Sequence, residues 1–343
     1  MQYRQIGKTE LKASALALGT WVMGGWMWGG CDDSVSERTI LSALDLGITL
    51  IDTAPVYGFG RSEETVGRAL KGRRRDSVLI ASKCGLYWTE TQLPSNCGEF
   101  HCFSDDDGRT SSLTKRAVYR WLRPDIVRRG VEDSLRRLKT DYIDLMQVHH
   151  ASDRTTPIGD TMGVLEEMRR EGKIRAIGIS NCSCSQIDEY RSYGTLDAVQ
   201  ERFSMLDRTV EKNGIFESCA KNEVALLAYS PLENGLLTGK ISPERVFKKG
   251  DLRIGKELFT KAKLQQVEKM LAALREIANR NRLTVGQLAT TWVTSRSSNV
   301  FAICGARTPE QATENFGFAD VSLTKEDYDE VDSVLREFEF LRD

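Results

Sequence analysis

Four side chains of complementary acid and base character occur at the ends of strand-like segments: Asp52, Tyr57, Lys83 and His149. Asp52 closes one apolar run, and Tyr57 stands in the Pro- and Gly-containing turn that follows it. Lys83 closes a second apolar run and His149 follows a third. Because the carboxyl ends of parallel barrel strands share one face, this spacing predicts that the four side chains meet there.

The chemistry that this set supports is proton transfer to a carbonyl oxygen. A phenol has an ordinary pKa of about 10, so Tyr57 needs a nearby cation to act as an acid near neutral pH. Lys83 can supply that charge, and Asp52 can keep a buried ammonium protonated. An imidazole at His149 could hydrogen-bond the substrate oxygen and fix its orientation.

The structural alternative is that Tyr57 only packs in its turn, while Lys83 and Asp52 form an ion pair without chemistry. An ion pair buried for stability alone is often no better than a hydrophobic pair. The combination at three separate strand ends therefore favours a functional role.

Strand and helix patterns alternate along the chain, which predicts an α/β fold with a parallel sheet. Eight strand-like runs could form it: 16–19, 49–52, 78–83, 143–148, 174–179, 198–200, 225–229 and 300–304. Helical periodicity covers 36–46, 63–70, 124–138, 158–171 and 264–279. A β-hairpin over 3–6 and 11–16 precedes them. The count and order predict one (β/α)₈ TIM-barrel domain over residues 1–343.

On these motifs the chain resembles the aldo-keto reductases, whose catalytic tetrad matches the four side chains above in order and local motif. Further matching segments are 178–181, Gln200, 228–232 and 305–311, so the resemblance covers nearly the whole chain. Trp21, residues 82–86 and the long segment after them are most similar to bacterial reductases of small aldehydes and sugars, a branch that includes a methylglyoxal reductase.

The resemblance implies a nicotinamide cofactor, NADP(H) by preference and NAD(H) as the alternative. It implies that Ser180, Asn181 and Gln200 hydrogen-bond the carboxamide and that Tyr229 stacks on the ring. Arg307, just before a helix N-terminus, suits the 2′-phosphate of NADP, although an exposed arginine beside a capped helix is the alternative. The other implied cofactor contacts are Gly19, Thr20, Trp21, Ser230, Leu232, Gly235, Leu236, Gly305, Gln311, Glu314 and Asn315.

The expected substrate contacts are Trp21, Tyr57, Trp88, His149 and His150. Adjacent histidines can bind zinc, but successive side chains of a strand point to opposite faces, so His149 and His150 are not expected to share an ion. The segment with Cys97, His101 and Cys102 has no CxxC pair, so free thiols in a lid are favoured over a structural metal. No metal site is predicted.

Two connections exceed the usual loop length: roughly 84–123 after the third barrel strand and 231–260 after the seventh. Both would emerge at the catalytic face. The first starts beside Lys83 and mixes aromatic with polar residues, which predicts a lid that sets substrate specificity.

The composition favours small-molecule partners. The 48 basic and 49 acidic residues leave a formal net charge of -1, which gives no field for nucleic acid or an anionic membrane. The Gly-rich run 13–30 has neither the aliphatic length of a membrane span nor the leader of a signal peptide. Several of the eight cysteines occur in core-like segments, which favours free thiols and a cytoplasmic location.

The leading hypothesis is an NADP-preferring enzyme that moves hydride between nicotinamide and a small aldehyde, ketone or sugar carbonyl, with Tyr57 as general acid. The runner-up is a sugar or polyol dehydrogenase that uses the same residues in the oxidative direction. A cofactor-sensing regulatory subunit with little turnover is a third hypothesis. The complete tetrad, and an N-terminus that begins directly at the hairpin, disfavour it.

Overall fold

A computed structural model of the chain describes residues 1–90, 93, 97–103, 116–318 and 321–341. Its strands are β1 (Tyr3–Gln5), β2 (Lys12–Ser14), β3 (Leu16–Gly19), β4 (Leu50–Asp52), β5 (Leu79–Cys84), β6 (Leu86–Thr89), β7 (Glu99–Phe103), β8 (Ala117–Arg120), β9 (Ile143–Val148), β10 (Ile174–Ser180), β11 (Ala198–Arg202), β12 (Ala225–Tyr229) and β13 (Val300–Gly305). Its α-helices are α1 (Trp21–Gly24), α2 (Asp33–Asp45), α3 (Arg61–Ala69), α4 (Pro124–Leu138), α5 (Ile158–Arg170), α6 (Cys184–Tyr193), α7 (Thr209–Lys212), α8 (Ile215–Asn222), α9 (Lys261–Arg280), α10 (Val285–Thr294), α11 (Pro309–Phe316) and α12 (Lys325–Glu337).

The predicted (β/α)₈ barrel is confirmed. The parallel strands β3, β4, β5, β9, β10, β11, β12 and β13 close on one another in that order. All eight predicted runs become barrel strands, and β1 pairs antiparallel with β2 as the predicted hairpin. None of the described helices has both the length and the apolar character needed to cross a membrane.

A polar layer lies on top of the apolar barrel interior. Its members are Asp52, Lys83, Gln147 and Gln200, which are between 0% and 3% exposed. Each follows, by two residues, an apolar side chain of one interior cluster, namely Leu50, Ala81, Leu145 and Ala198. Since strand side chains alternate with period two, each polar residue shares the interior face of its apolar neighbour. The register of the strands therefore delivers four polar groups to one level.

The connection after β5 contains three strands where the sequence predicted a long loop. β6, β8 and β7 form a three-stranded antiparallel sheet, in that order. Residues 91–92, 94–96 and 104–115 of the expected lid lie outside the described residues. In the connection after β12, Asp251 forms an isolated bridge with Trp28, and the Leu252 amide donates to the Met27 carbonyl at 2.9 Å. This segment thus reaches across to the loop after β3.

The turn that carries Tyr57 is held by a close approach of two backbones. Gly58 has φ of 65°, and a Cβ added to it would lie 2.0 Å from the carbonyl oxygen of Gly24. A Cβ on Gly24 would lie 2.4 Å from the carbonyl carbon of Tyr57. Only glycine therefore fits on both sides of this contact.

Gly58→Ala should destabilise the protein more than Gly72→Ala does. Both positions have positive φ, but a Cβ on Gly72 meets nothing within 4 Å. The control thus carries only the left-handed backbone cost, about 1 to 2 kcal/mol, whereas Gly58→Ala adds roughly 1 to 3 kcal/mol for overpacking. Urea unfolding of the two variants measures the difference, and equal losses would contradict the steric argument.

Candidate active site

A cavity of about 610 Å³ opens at the carboxyl ends of the barrel strands. It is lined by all but three of the residues predicted to contact cofactor or substrate; the exceptions are Thr20, Leu236 and Trp88. Of the four predicted catalytic residues, Asp52, Tyr57 and His149 line it, and Lys83 lies buried beside them.

The three exceptions make the following contacts outside the cavity. Thr20 is fully buried, and its hydroxyl donates to the Asp52 carbonyl at 2.9 Å. Leu236 is 1% exposed and belongs to the core between barrel and helices. Trp88 packs with its ring centroid 5.7 Å from that of Phe59 and lines a separate cavity of about 200 Å³. All three side chains thus make hydrogen bonds or packing contacts away from the main cavity.

Lys83 joins the proton-transfer candidates. Its ammonium donates to Asp52 Oδ1 at 2.7 Å, to the Thr53 carbonyl at 3.0 Å and to the Tyr57 hydroxyl at 3.1 Å. Burial by itself lowers the pKa of Lys83, but Asp52 and then Tyr57 outweigh it and raise that pKa above its ordinary value. Lys83 therefore stays charged next to the phenol.

The pKa of Tyr57 lies above its ordinary value, whereas the Lys83 charge was expected to lower it. Burial raises it, and the Lys83 charge lowers it only in part, so the net direction is upward. The phenol is consequently protonated at neutral pH.

The second carboxylate oxygen of Asp52 is also fully engaged. It accepts from Gln200 Nε2 at 2.8 Å and from Gln147 Nε2 at 3.3 Å. Gln200 Nε2 also donates to Gln147 Oε1 at 3.1 Å. Gln147 was not predicted from the sequence, where its signal is a polar residue in an apolar strand, two positions before His149.

His149 is a neutral imidazole at the cavity wall. Burial first, and then the Lys83 charge, hold its pKa well below the ordinary value. Its ring meets that of Tyr57 edge-on with centroids 5.9 Å apart, and its buried Nδ1 has no hydrogen-bond partner among the described residues. An imidazole in this state can offer one N–H to a carbonyl oxygen near Tyr57.

The prediction that His149 and His150 point to opposite faces is wrong. Their rings stack with centroids 5.6 Å apart at 10°, and both line the cavity. Both residues follow the last residue of β9, Val148, where strand alternation no longer applies. The ring centroid of His101, from β7, lies 5.0 Å from that of His150. The described residues contain no group of three or more His, Cys, Asp and Glu side chains arranged to hold a metal ion.

The residues expected around the nicotinamide are linked to one another. Ser180 Oγ donates to the Gln200 carbonyl at 2.7 Å, and Tyr229 donates to Asn181 Oδ1 at 3.0 Å. Asn181 Nδ2 donates in turn to the His149 carbonyl at 2.9 Å. These contacts place an aromatic ring and several amide groups at one end of the cavity, a donor set that fits a nicotinamide.

The other end of the cavity is cationic. Arg307 donates to the carbonyls of Trp28 and Gly30, and forms no ion pair with a carboxylate in the described part of the chain. Burial and then Arg253 lower its pKa. Arg253 lies over the Trp28 ring at 5.3 Å and pairs with Asp251.

Four aromatic or cationic residues of the cavity were missed from the sequence: Trp28, Lys240, Arg245 and Arg253. Three of them come from the connection after β12, whose irregular backbone gives no periodic signal. The same connection has positive φ at Ser230, Glu233 and Asn234, a mixed-handed backbone typical of anion-binding concavities. Cations and such a backbone fit the phosphates of a dinucleotide.

Gln311, Glu314 and Asn315 of α11, three of the expected cofactor contacts, have partners within the protein. Gln311 Oε1 accepts from the Arg307 amide at 2.9 Å, and Asn315 donates to the Gly305 carbonyl at 3.0 Å. Glu314 pairs with Lys240. All three side chains nevertheless line the cavity.

Known proteins share this architecture over nearly the full chain. A sequence model described as "Aldo/keto reductase family" matches residues 15–336. "Aldo-keto reductase YhdN" of Bacillus subtilis is 37% identical, covering 98% of this chain and 94% of that protein. "NADH-specific methylglyoxal reductase" of Escherichia coli is 38% identical, covering 94% of each. The solved structure of the glycerol dehydrogenase AKR11B4 from Gluconobacter oxydans is 38% identical, with a TM-score of 0.84 and coverage of 98% of this chain and 95% of that one.

Asp52→Asn should destabilise the protein by about 3 to 5 kcal/mol, because it leaves the buried Lys83 ammonium without a counter-charge. The double variant Asp52→Asn/Lys83→Met should recover part of that loss. Asp329→Asn is the matched control, because it breaks an exposed ion pair with Lys325 and should change stability by less than about 1 kcal/mol. Chemical denaturation measures all three, and additive losses in the double variant would contradict the pairing.

Proposed function

Because the chain belongs to the aldo/keto reductase family, we propose that it is an NADP-preferring oxidoreductase that interconverts small aldehydes, ketones or sugar carbonyls with their alcohols. The contact that carries the proposal is the hydrogen bond from Lys83 to the Tyr57 hydroxyl, at 3.1 Å. It lies beside a cavity whose aromatic and amide groups fit a nicotinamide. Family membership makes the chain an oxidoreductase. The substrate, the cofactor preference and the residue roles are the proposal.

Each polar residue has a defined task in this reaction. A bound nicotinamide supplies or accepts the hydride. In reduction, the Tyr57 hydroxyl donates its proton to the carbonyl oxygen, and the adjacent Lys83 charge stabilises the phenolate that remains. The neutral His149 donates a hydrogen bond that orients the same oxygen. In oxidation, the phenolate takes the alcohol proton back.

Tyr57→Phe should lower kcat for carbonyl reduction by about 10² to 10⁴, because it removes the transferable proton and almost no surface. Cofactor binding, followed by fluorescence titration, should stay close to wild type. Retention of more than half of the wild-type kcat would show that another group is the acid.

The cationic end of the cavity supports NADP over NAD. Arg307 is partly buried without a carboxylate partner in the described residues, so a phosphate there would compensate its charge. One relative bears the name NADH-specific methylglyoxal reductase, so the affinities for both NADPH and NADH have to be measured.

Arg307→Ala should weaken NADPH binding by roughly 1.5 to 3 kcal/mol and NADH binding much less, because only NADPH carries a 2′-phosphate. Fluorescence titration of both cofactors gives the two losses. Lys240→Ala is a useful companion, since Lys240 also lines this end but already pairs with Glu314. If Arg307→Ala weakens the two cofactors equally, Arg307 does not recognise the phosphate.

A polyol dehydrogenase is the second candidate. Two observations favour it: the likeness to a glycerol dehydrogenase structure, and the polar imidazoles of His149 and His150 at the cavity wall. Initial rates with a panel of aldehydes, sugars and polyols, measured in both directions, separate the two. Absence of turnover throughout that panel would instead support a regulatory subunit.

A further inference from the structure

Gln147 belongs to the polar layer and has no part in the proposed chemistry. It is fully buried, its Nε2 donates to Asp52 Oδ2 at 3.3 Å, and its Oε1 accepts from Gln200 Nε2 at 3.1 Å. Asp52, Gln147 and Gln200 therefore close a ring of three hydrogen bonds across strands β4, β9 and β11.

The ring determines the orientation of the Gln200 amide. A primary amide has two N–H donors, and Gln200 gives one to Asp52 at 2.8 Å and the other to Gln147. Rotation of the amide by 180° would place its oxygen against the Asp52 carboxylate and the Gln147 oxygen. Gln200 Oε1 is thus the atom left for a ligand, on a side chain that lines the cavity.

The neighbouring strand leaves room for Gln147. Gly178 of β10 is its register partner, and a Cβ on Gly178 would lie 2.9 Å from Gln147 Cγ and 3.1 Å from the carbonyl oxygen of Ala198. A larger residue at position 178 would therefore displace the Gln147 side chain.

We infer that Gln147 is a positioning residue that holds Gln200 Oε1 toward an amide N–H of the bound nicotinamide and ties that orientation to the Asp52 carboxylate. The inference rests on the proposed function. Gln147 is not among the residues that line the cavity, so it acts through Gln200, which is. If Gln147 only filled space, an apolar side chain of the same length would serve equally well.

Gln147→Met keeps the length of the side chain and removes both hydrogen bonds. The informative readout is equilibrium binding of the oxidised cofactor and of its 3-acetylpyridine analogue, in which a methyl group replaces the carboxamide NH₂. The wild type should bind the normal cofactor more tightly. Gln147→Met should reduce this preference by about threefold to tenfold, the range for one hydrogen bond.

Leu145→Met is the matched control, because it places methionine on the same face of β9, one layer below. It should keep the wild-type ratio of dissociation constants. Gln200→Met should lose the preference, and the double variant Gln147→Met/Gln200→Met should lose no more than Gln200→Met alone. Additive losses, or an unchanged ratio in Gln147→Met, would overturn the inference.

Gly178→Ala provides an independent variant that leaves the chemistry of Gln147 intact. It should reduce the same preference by displacing Gln147, and it decides the question if Gln147→Met does not fold. Failure of the wild type to bind either dinucleotide would overturn the proposed function and the inference together. Wild-type binding with an unaltered ratio in Gln147→Met, or in Gly178→Ala where Gln147→Met does not fold, would overturn the inference alone.

Discussion

The buried ion pair between Asp52 and Lys83 is the constraint on which the rest of the site depends. Two charges that are almost fully buried are stable only when every remaining donor and acceptor is satisfied. Lys83 meets this condition with Thr53 and Tyr57, and Asp52 meets it with the two glutamines. The polar layer above the apolar barrel interior is the physical consequence of placing that pair there.

The same pair sets the protonation state of the cavity wall. The positive charge on Lys83 disfavours a second cation, so it adds to burial in keeping His149 neutral. It also opposes, without overcoming, the rise in the Tyr57 pKa caused by burial. A neutral imidazole and a protonated phenol thus lie side by side at the cavity wall.

The sequence predicted the barrel strands and the four polar strand-end residues because both depend on local patterns. Strand periodicity fixes which side chains face the barrel interior, and this is why Lys83 and Asp52 meet. Packing beyond the strands has no such pattern. His150 follows the end of its strand, Trp88 packs against Phe59, and the cations at the far end come from a segment of irregular backbone.

Gln147 shows what the structure adds to a motif. A polar residue in an apolar strand is visible in the sequence, but its partners lie on β4 and β11, which are 95 and 53 residues away along the chain. Only the closed barrel brings these strands to one level. Because Asp52 accepts from Lys83 on one oxygen and from Gln200 on the other, the ammonium beside Tyr57 and the amide at the cavity wall share one anchor. Any shift of that carboxylate would move both, so the barrel register itself sets the distance between them.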